Sequence, residues 1–392
     1  MNGYFYVLTT IDIFVLCFMC VLTRLSESLN KKQKRGFFFA FILIAFISIL
    51  EVITLKVDGL PVCYRWINII SNYLGFGLTP SVCICLVYVL DKKTRLRWEF
   101  KLAILCEIIY LLVLAISIPS GLVFSVSQEN IYSRGPYFFI YIFVYFISIF
   151  YLSLSTILVS KQFQNRSKAL IYPLIIFLAA ETIIQIIVPN LHVSWLCVTL
   201  LSVLYFIYCS EMWNQLDSLT GLLNQNSFLN RSHEMNYTNG MLIVFDVDDF
   251  KHVNDVYGHV KGDLCLSIIA NCIKKAYAKY GYCYRIGGDE FCVLLKNCRN
   301  EESCSIQFDH LMKSKQRKYK YLPSVSYGSA LLLTGDIVSV KDLADQNMYL
   351  NKKRKKLDNR NQVKIKKISM IFHGFYCTLK IPEEKALFFR VV

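Results

Sequence analysis

The chain has 392 residues, of which 55% are hydrophobic and 15% aromatic, with 43 Lys+Arg against 28 Asp+Glu for a net charge of +15. That length holds two or three domains, and that degree of apolarity excludes an ordinary soluble globular protein. Much of the positive charge lies in short segments between apolar stretches, which favours a lipid bilayer over nucleic acid as the partner.

Seven apolar stretches follow one another: Tyr4–Leu22, Phe37–Leu55, Ile67–Leu90, Leu102–Phe124, Tyr137–Ser160, Ala169–Val188 and Leu191–Cys209. Each is near the ~20 residues a helix needs to cross the hydrocarbon core. Only helices satisfy their own backbone groups there, so residues 1–210 are expected to form a seven-helix transmembrane domain. The first stretch lacks a basic leader and a small-residue cleavage site, and reads as a span rather than a signal peptide. The first, third and fifth connections are rich in Lys and Arg (Arg24 to Arg35, Lys92 to Lys101, Lys161 to Lys168), and the intervening ones are poor. The positive-inside rule then puts the N-terminus outside and everything after Cys209 in the cytoplasm. Asp12, Glu51, Glu107 and Glu181 fall within the spans, where an ionisable group is a functional candidate. The 15 cysteines include no CxxC pair and read as reduced, buried thiols.

Beyond Cys209 the composition changes. Residues 211–216 suit a short connector helix, and Asp217 opens an α/β pattern that runs to about residue 367. Met241–Asp246 reads as a strand. Gly262–Tyr280 has helical spacing, with Cys265, Ile269, Cys272 and Ile273 toward a core. Tyr282–Ile286 and Phe291–Leu295 read as strands about Gly287-Gly288, Glu301–Arg317 as a helix, Pro323–Leu333 as a strand and Ser339–Lys356 as a helix. The order β-α-β-β-α-β predicts a ferredoxin-like antiparallel sheet with helices on one face. Residues 368–392 form an apolar extension with no assigned role.

Two acidic groups stand out. In "FDVDDFKHVNDVYGHVKGDLCL" a strand ends in Asp246, with Asp248 and Asp249 after it; in "YRIGGDEFCVLL" Asp289 and Glu290 follow a diglycine turn. Acids at a strand end and beside a hairpin turn can converge at one edge of a sheet. Clustered hard oxygens there suit Mg²⁺, which binds carboxylates together with phosphate oxygens. A pair of such ions could clamp both oxygens of a phosphoryl displacement. Asp289 would share that site with Asp246, and Gly287 and Gly288 would form the turn and admit a nucleotide close to the backbone.

"DSLTGLLN" (217–224), "DVDDFKHVNDVYGHVKGD" (246–263), "GGDEF" (287–291), "SVSYGSA" (324–330) and "ADQNMYLNKK" (344–353), in this order, make the segment from 217 to about 365 resemble the GGDEF, or diguanylate cyclase, family. The resemblance implies a nucleotidyl-cyclase palm fold that condenses two GTP into cyclic di-GMP and two pyrophosphates. It implies a homodimer in which each subunit holds one GTP, and Mg²⁺ or Mn²⁺ with two ions per GTP. Position by position it implies metal ligation by Asp246, the Val247 carbonyl and Asp289, and a base role for Asp289. Glu290 would support the metal and phosphate region, and Lys251 would stabilise phosphate charge. Guanine reading falls to Asn254 and Asp263, substrate binding to His259, and triphosphate binding to Lys352. The whole would be a multi-pass protein of a bacterial plasma membrane with its cyclase domain cytoplasmic, answering an unidentified stimulus.

The chain departs from the family pattern in three places. Ala278 and Gly281 stand where the product-inhibition motif RxxD would be, so inhibition through that site is not expected. Lys355 and Lys356 replace an expected Gly-Arg pair, so the phosphate contact falls to Lys356 or to the later Arg360; lysine keeps the charge but loses the bidentate fork. Gln225 replaces a common arginine. The rival readings are a catalytically silent GTP-binding module and a transporter regulated by the cytoplasmic domain. The second lacks paired Gly/Pro-broken helices.

Overall fold

The computed structural model describes residues 2–90, 98–162, 194–232, 240–332 and 336–355, with a few single positions besides. Most of the sixth predicted stretch, together with Lys356, Arg360 and residues 368–392, lies outside the described residues. The chain divides into two compact units, Met1–Gln215 and Leu216–Val392.

Among the described residues of the first unit, six helices are long and apolar enough to cross a membrane. They are α1 (Asn2–Leu25), α2 (Lys31–Val57), α3 (Arg65–Leu90), α4 (Trp98–Ser120), α5 (Phe139–Gln162) and α6 (Ser194–Asn214). Their inward faces bury Leu16, Phe37, Phe41, Ile44, Leu86 and Cys209 in one core. Their outward faces leave large apolar groups bare, Phe14 at 75% and Phe150 at 68% exposure, as suits contact with lipid. Pro80 interrupts α3 and cannot donate to the Phe76 carbonyl four residues back; the Tyr110 hydroxyl donates to that carbonyl instead, at 3.3 Å. Residues 211–214 continue α6.

The fourth predicted stretch, Leu102–Phe124, is not one helix. Helix α4 stops at Ser120, where Gly121 takes φ +67°, and the Ser117 hydroxyl accepts from the amides of Val123 and Phe124 at 2.8 and 3.1 Å. The chain then forms a hairpin of β1 (Phe124–Val126) and β2 (Tyr132–Arg134). Buried Asn130, at φ 60°, donates to the carbonyls of Val57 and Leu60. Asn68 donates to Asp58 and Asn130, and Arg65 to the carbonyls of Val126 and Ser127. These bonds tie the hairpin to the facing ends of α2 and α3.

In the second unit, β3 (Met241–Val247) lies between β5 (Glu290–Leu295) and β6 (Val325–Leu331), with β4 (Gly281–Arg285) outside β5. All three pairings are antiparallel. The topology is the ferredoxin-like one expected. Side chains alternate faces along each strand. Ile243, Phe245, Phe291 and Val293 point to one side, and Leu242, Val244, Cys292 and Leu294 to the other. The first side packs on α9 (His259–Tyr277) and α10 (Glu301–Lys318) through Ile269, Ile273, Phe308 and Met312. Each such side chain, fully buried, contributes about 1.5–3 kcal/mol.

The expectation of helices on one face only is corrected by the second side. It is covered by Phe228 of α7 (Gln225–Ser232) and by Val340 and Ala344 of α11 (residues 337–355). The unbroken apolar run MLIVF in β3 has this cause, because a strand covered on both faces loses its polar alternation. Helix α11 lies so close to β6 that a Cβ on Gly328 would stand 2.1 Å from the Met348 amide nitrogen.

Candidate active site

Antiparallel pairing of β3 with β5 sets Asp246 opposite Glu290, and the Val247 amide donates to the Asp289 carbonyl at 3.3 Å. The acid at the strand end and the acids of the hairpin therefore meet at one end of the sheet. Lys352, reaching over from α11, donates a short hydrogen bond to Asp246 Oδ1 and lies 3.9 Å from Asp248 Oδ1. Burial disfavours the Lys352 charge, but the Asp246 carboxylate more than offsets it and holds the ammonium above its usual range.

The acids of the 246–249 run have separate fates. Asp248 is buried and turned toward β6, accepting from the hydroxyls of Ser324 at 2.6 Å and Ser326 at 2.8 Å. These bonds tie it to β6 while its other neighbour is the Lys352 ammonium. Asp249 takes a left-handed conformation at φ 52°, which Asp tolerates better than most residues, and bends the chain into α8 (Phe250–Tyr257). Lys251 is exposed in the first turn of that helix.

Between α8 and α9 stands Gly258, with φ +79° and ψ 156°, a region closed to side-chain-bearing residues. His259 follows it, exposed, as the first residue of α9. One turn on, Gly262 lets the two helices touch: a Cβ there would lie 1.9 Å from Asn254 Oδ1. Asn254 is half-buried, and Asp263, next in the chain to Gly262, is exposed.

The diglycine turn owes nothing to positive φ, which neither Gly287 nor Gly288 adopts. A Cβ on Gly287 would lie 2.9 Å from Glu290 Oε2, the tip of an exposed side chain that can swing aside. Arg285 holds the turn. Its guanidinium donates to the carbonyls of Gly287 at 3.2 Å and Gly288 at 2.7 Å, and to both Asp217 carboxylate oxygens at 3.1 and 3.2 Å. Asp217 also accepts from the Thr220 hydroxyl and amide at 2.6 and 2.8 Å. Burial works against the Asp217 charge; the Thr220 bonds and the Arg285 guanidinium outweigh it and hold the carboxyl below its usual range. Asp217, Thr220, Gly258, Gly262 and Arg285 were not among the expected site residues. The signal was present, because all five stand inside the quoted stretches, Arg285 in YRIGGDEFCVLL.

Among the described residues no three His, Cys, Asp or Glu side chains converge on a metal position. The ligands that the resemblance implies at this sheet end are two carboxylates and a main-chain carbonyl. Magnesium is commonly held by one or two carboxylates and completed by substrate phosphates and water, so these residues fit an ion that arrives with a nucleotide. At the site of the missing RxxD motif, Gly281 opens β4, and a Cβ there would stand 2.3 Å from the Leu294 carbonyl oxygen.

The second unit is thus an α/β domain with an acidic sheet end, a glycine turn beside it and a lysine poised over it. Residues 214–358 match the family described as "Diguanylate cyclase, GGDEF domain", and this part of the chain is a GGDEF domain. The chain is 26% identical over 148 residues to the probable diguanylate cyclase DgcJ of Escherichia coli K12, covering 36% of this chain and 29% of that protein. It is 36% identical over 104 residues to the diguanylate cyclase DgcZ of the same organism, covering 26% and 35%. It is 32% identical over 170 residues to an uncharacterized membrane protein of Staphylococcus saprophyticus, covering 39% and 46%. The matches therefore span between about a third and a half of these relatives' lengths.

Proposed function

We propose that the protein is a membrane-bound diguanylate cyclase that condenses two GTP into cyclic di-GMP and two pyrophosphates. The observation that carries this reading is the meeting of Asp246 with the Gly287–Glu290 turn at one sheet end, beside Lys352. Asn254 and Asp263 hold the guanine; a carboxylate at Asp263 accepts both N–H groups of its edge, which adenine lacks, and so discriminates between them. Asp289 takes the proton from the ribose 3′-hydroxyl as that oxygen attacks the α-phosphate of the GTP on the partner subunit. Lys251 and Lys352 stabilise the negative charge that grows on the phosphates. Asp246, the Val247 carbonyl and Asp289 would hold Mg²⁺ or Mn²⁺, which would supply Lewis-acid activation of the phosphoryl group. Two subunits are needed because each holds one GTP. In this reading the first unit is a sensor spanning a bacterial plasma membrane, with its N-terminus outside, and the second is cytoplasmic.

The test uses the full-length protein in lipid nanodiscs with GTP and Mg²⁺, the nucleotides being separated by chromatography and weighed by mass spectrometry. Cyclic di-GMP is expected from the parent, reduced by about 10²-fold or more in Asp289→Ala, the scale of a lost general base. GTP bound without product would instead make the domain a silent nucleotide-binding module.

A further inference from the structure

The carboxylate that the resemblance makes a metal ligand has a cation of the chain's own beside it. Lys352 donates to Asp246 Oδ1 and lies 3.9 Å from Asp248 Oδ1. Asp248 is the weaker anchor for the ammonium, because its two oxygens already accept from the hydroxyls of Ser324 at 2.6 Å and Ser326 at 2.8 Å. The helix that carries Lys352 is held along β6. Val340 and Ala344 of α11 are buried against the sheet, and the Asn347 amide donates to the Ser329 carbonyl at 2.9 Å. Lys355, one turn beyond Lys352, donates to the Val325 carbonyl at 2.6 Å, and Val325 is the register partner of Val247. The backbone of α11 is thereby set over the sheet end, while the Lys352 side chain, 27% exposed on a flexible stem, is free to change partners.

An ammonium and a divalent cation repel each other and cannot both lie close to one carboxylate oxygen without cost. A metal ion on Asp246 therefore has to displace Lys352, and an ammonium released beside that ion needs a new anion. The phosphates of a nucleotide are such an anion. We propose that Lys352 competes with the metal ion for Asp246, so that free metal binds poorly and Lys352 gives up the carboxylate when a triphosphate takes its ammonium. The inference rests on the cyclase reading of this site and adds an order of events to it. Metal and nucleotide enter together, because the triphosphate is the partner to which Lys352 changes.

The experiment follows Mn²⁺ by electron paramagnetic resonance on the full-length protein in phosphatidylcholine nanodiscs. It is run without nucleotide and then with 3′-deoxy-GTP, which lacks the attacking hydroxyl. Binding at the site is the part lost in Asp246→Asn. The parent is expected to bind Mn²⁺ weakly alone and strongly with the nucleotide. Lys352→Met keeps the stem and drops the charge; it should bind Mn²⁺ alone roughly tenfold more tightly, with weaker binding of the nucleotide by calorimetry. Lys352→Arg should behave as the parent does toward Mn²⁺ alone. A lysine with only a structural role would give the opposite sign, its loss weakening both ligands. Unchanged or weaker binding of Mn²⁺ alone in Lys352→Met overturns the proposal and leaves the cyclase reading standing. No Mn²⁺ at the site in the parent, even with nucleotide, overturns both. Should Lys352→Met fail to fold, pulsed acetylation of the parent by acetic anhydride decides, read by peptide mass spectrometry. Saturating Mn²⁺ without nucleotide should raise the labelling of Lys352 relative to exposed Lys353, and no rise overturns the proposal.

Discussion

In the proposed reading Asn254 and Asp263 hold one guanine, and between them stands Gly262, whose missing side chain leaves room for the Asn254 amide. The prediction at this scale concerns Gly262→Ala. The new methyl carbon cannot stay 1.9 Å from Asn254 Oδ1, and the amide, as the end of a flexible side chain, gives way. The fold should survive while guanine recognition suffers. We expect KM for GTP to rise ~10-fold, about 1.4 kcal/mol, with Tm little changed, measured by steady-state kinetics beside a melting curve. Legibility at this scale was uneven. The meeting of Asp246 with the Asp289 turn was readable because a strand end and a hairpin turn are local features. The diversion of Asp248 to Ser324 and Ser326 was not, because it depends on β6, more than seventy residues further on.

At the scale of elements, the bond between Asp217 and Arg285 joins the chain just before α7 to the hairpin of β4 and β5. Asp217→Asn should destabilise the second unit by about 1–3 kcal/mol at neutral pH, the range for hydrogen bonds to a charged group. The carboxyl is held below its ordinary value of 3.8 in the folded protein. Its contribution is therefore fully present above that value and lost as the pH falls through the lowered native one. Urea midpoints of parent and variant should differ by a constant amount from neutrality down to about pH 5 and converge below about pH 4. Strand and helix positions in this unit were legible from periodicity to within a few residues. The second helical layer was not, since apolar runs show that a strand is buried but not what buries it. The β1–β2 hairpin was hidden for a related reason: Phe124-Ser-Val continues the hydrophobicity of α4, and only Gly121 marks the break.

For the whole molecule, the proposed cyclase lacks one of its family's means of restraint. Ala278 closes α9 as its C-cap, and Gly281 begins β4 with its Cα pressed against the neighbouring strand. Cyclic di-GMP added to the full-length protein in nanodiscs should leave the initial rate unchanged up to concentrations that compete with GTP at the active site. A fall in rate that is noncompetitive with GTP would contradict this.

The same glycine bears on whether the restraint could be regained. An aspartate at position 281 would drive its Cβ to 2.3 Å from a main-chain oxygen of β5, and backbone, unlike a side-chain tip, cannot swing aside. Ala278→Arg with Gly281→Asp would write the inhibitory motif into the sequence while prising apart the strand pair that carries the diglycine turn. The family's feedback cannot be restored here by spelling; it would take a different sheet.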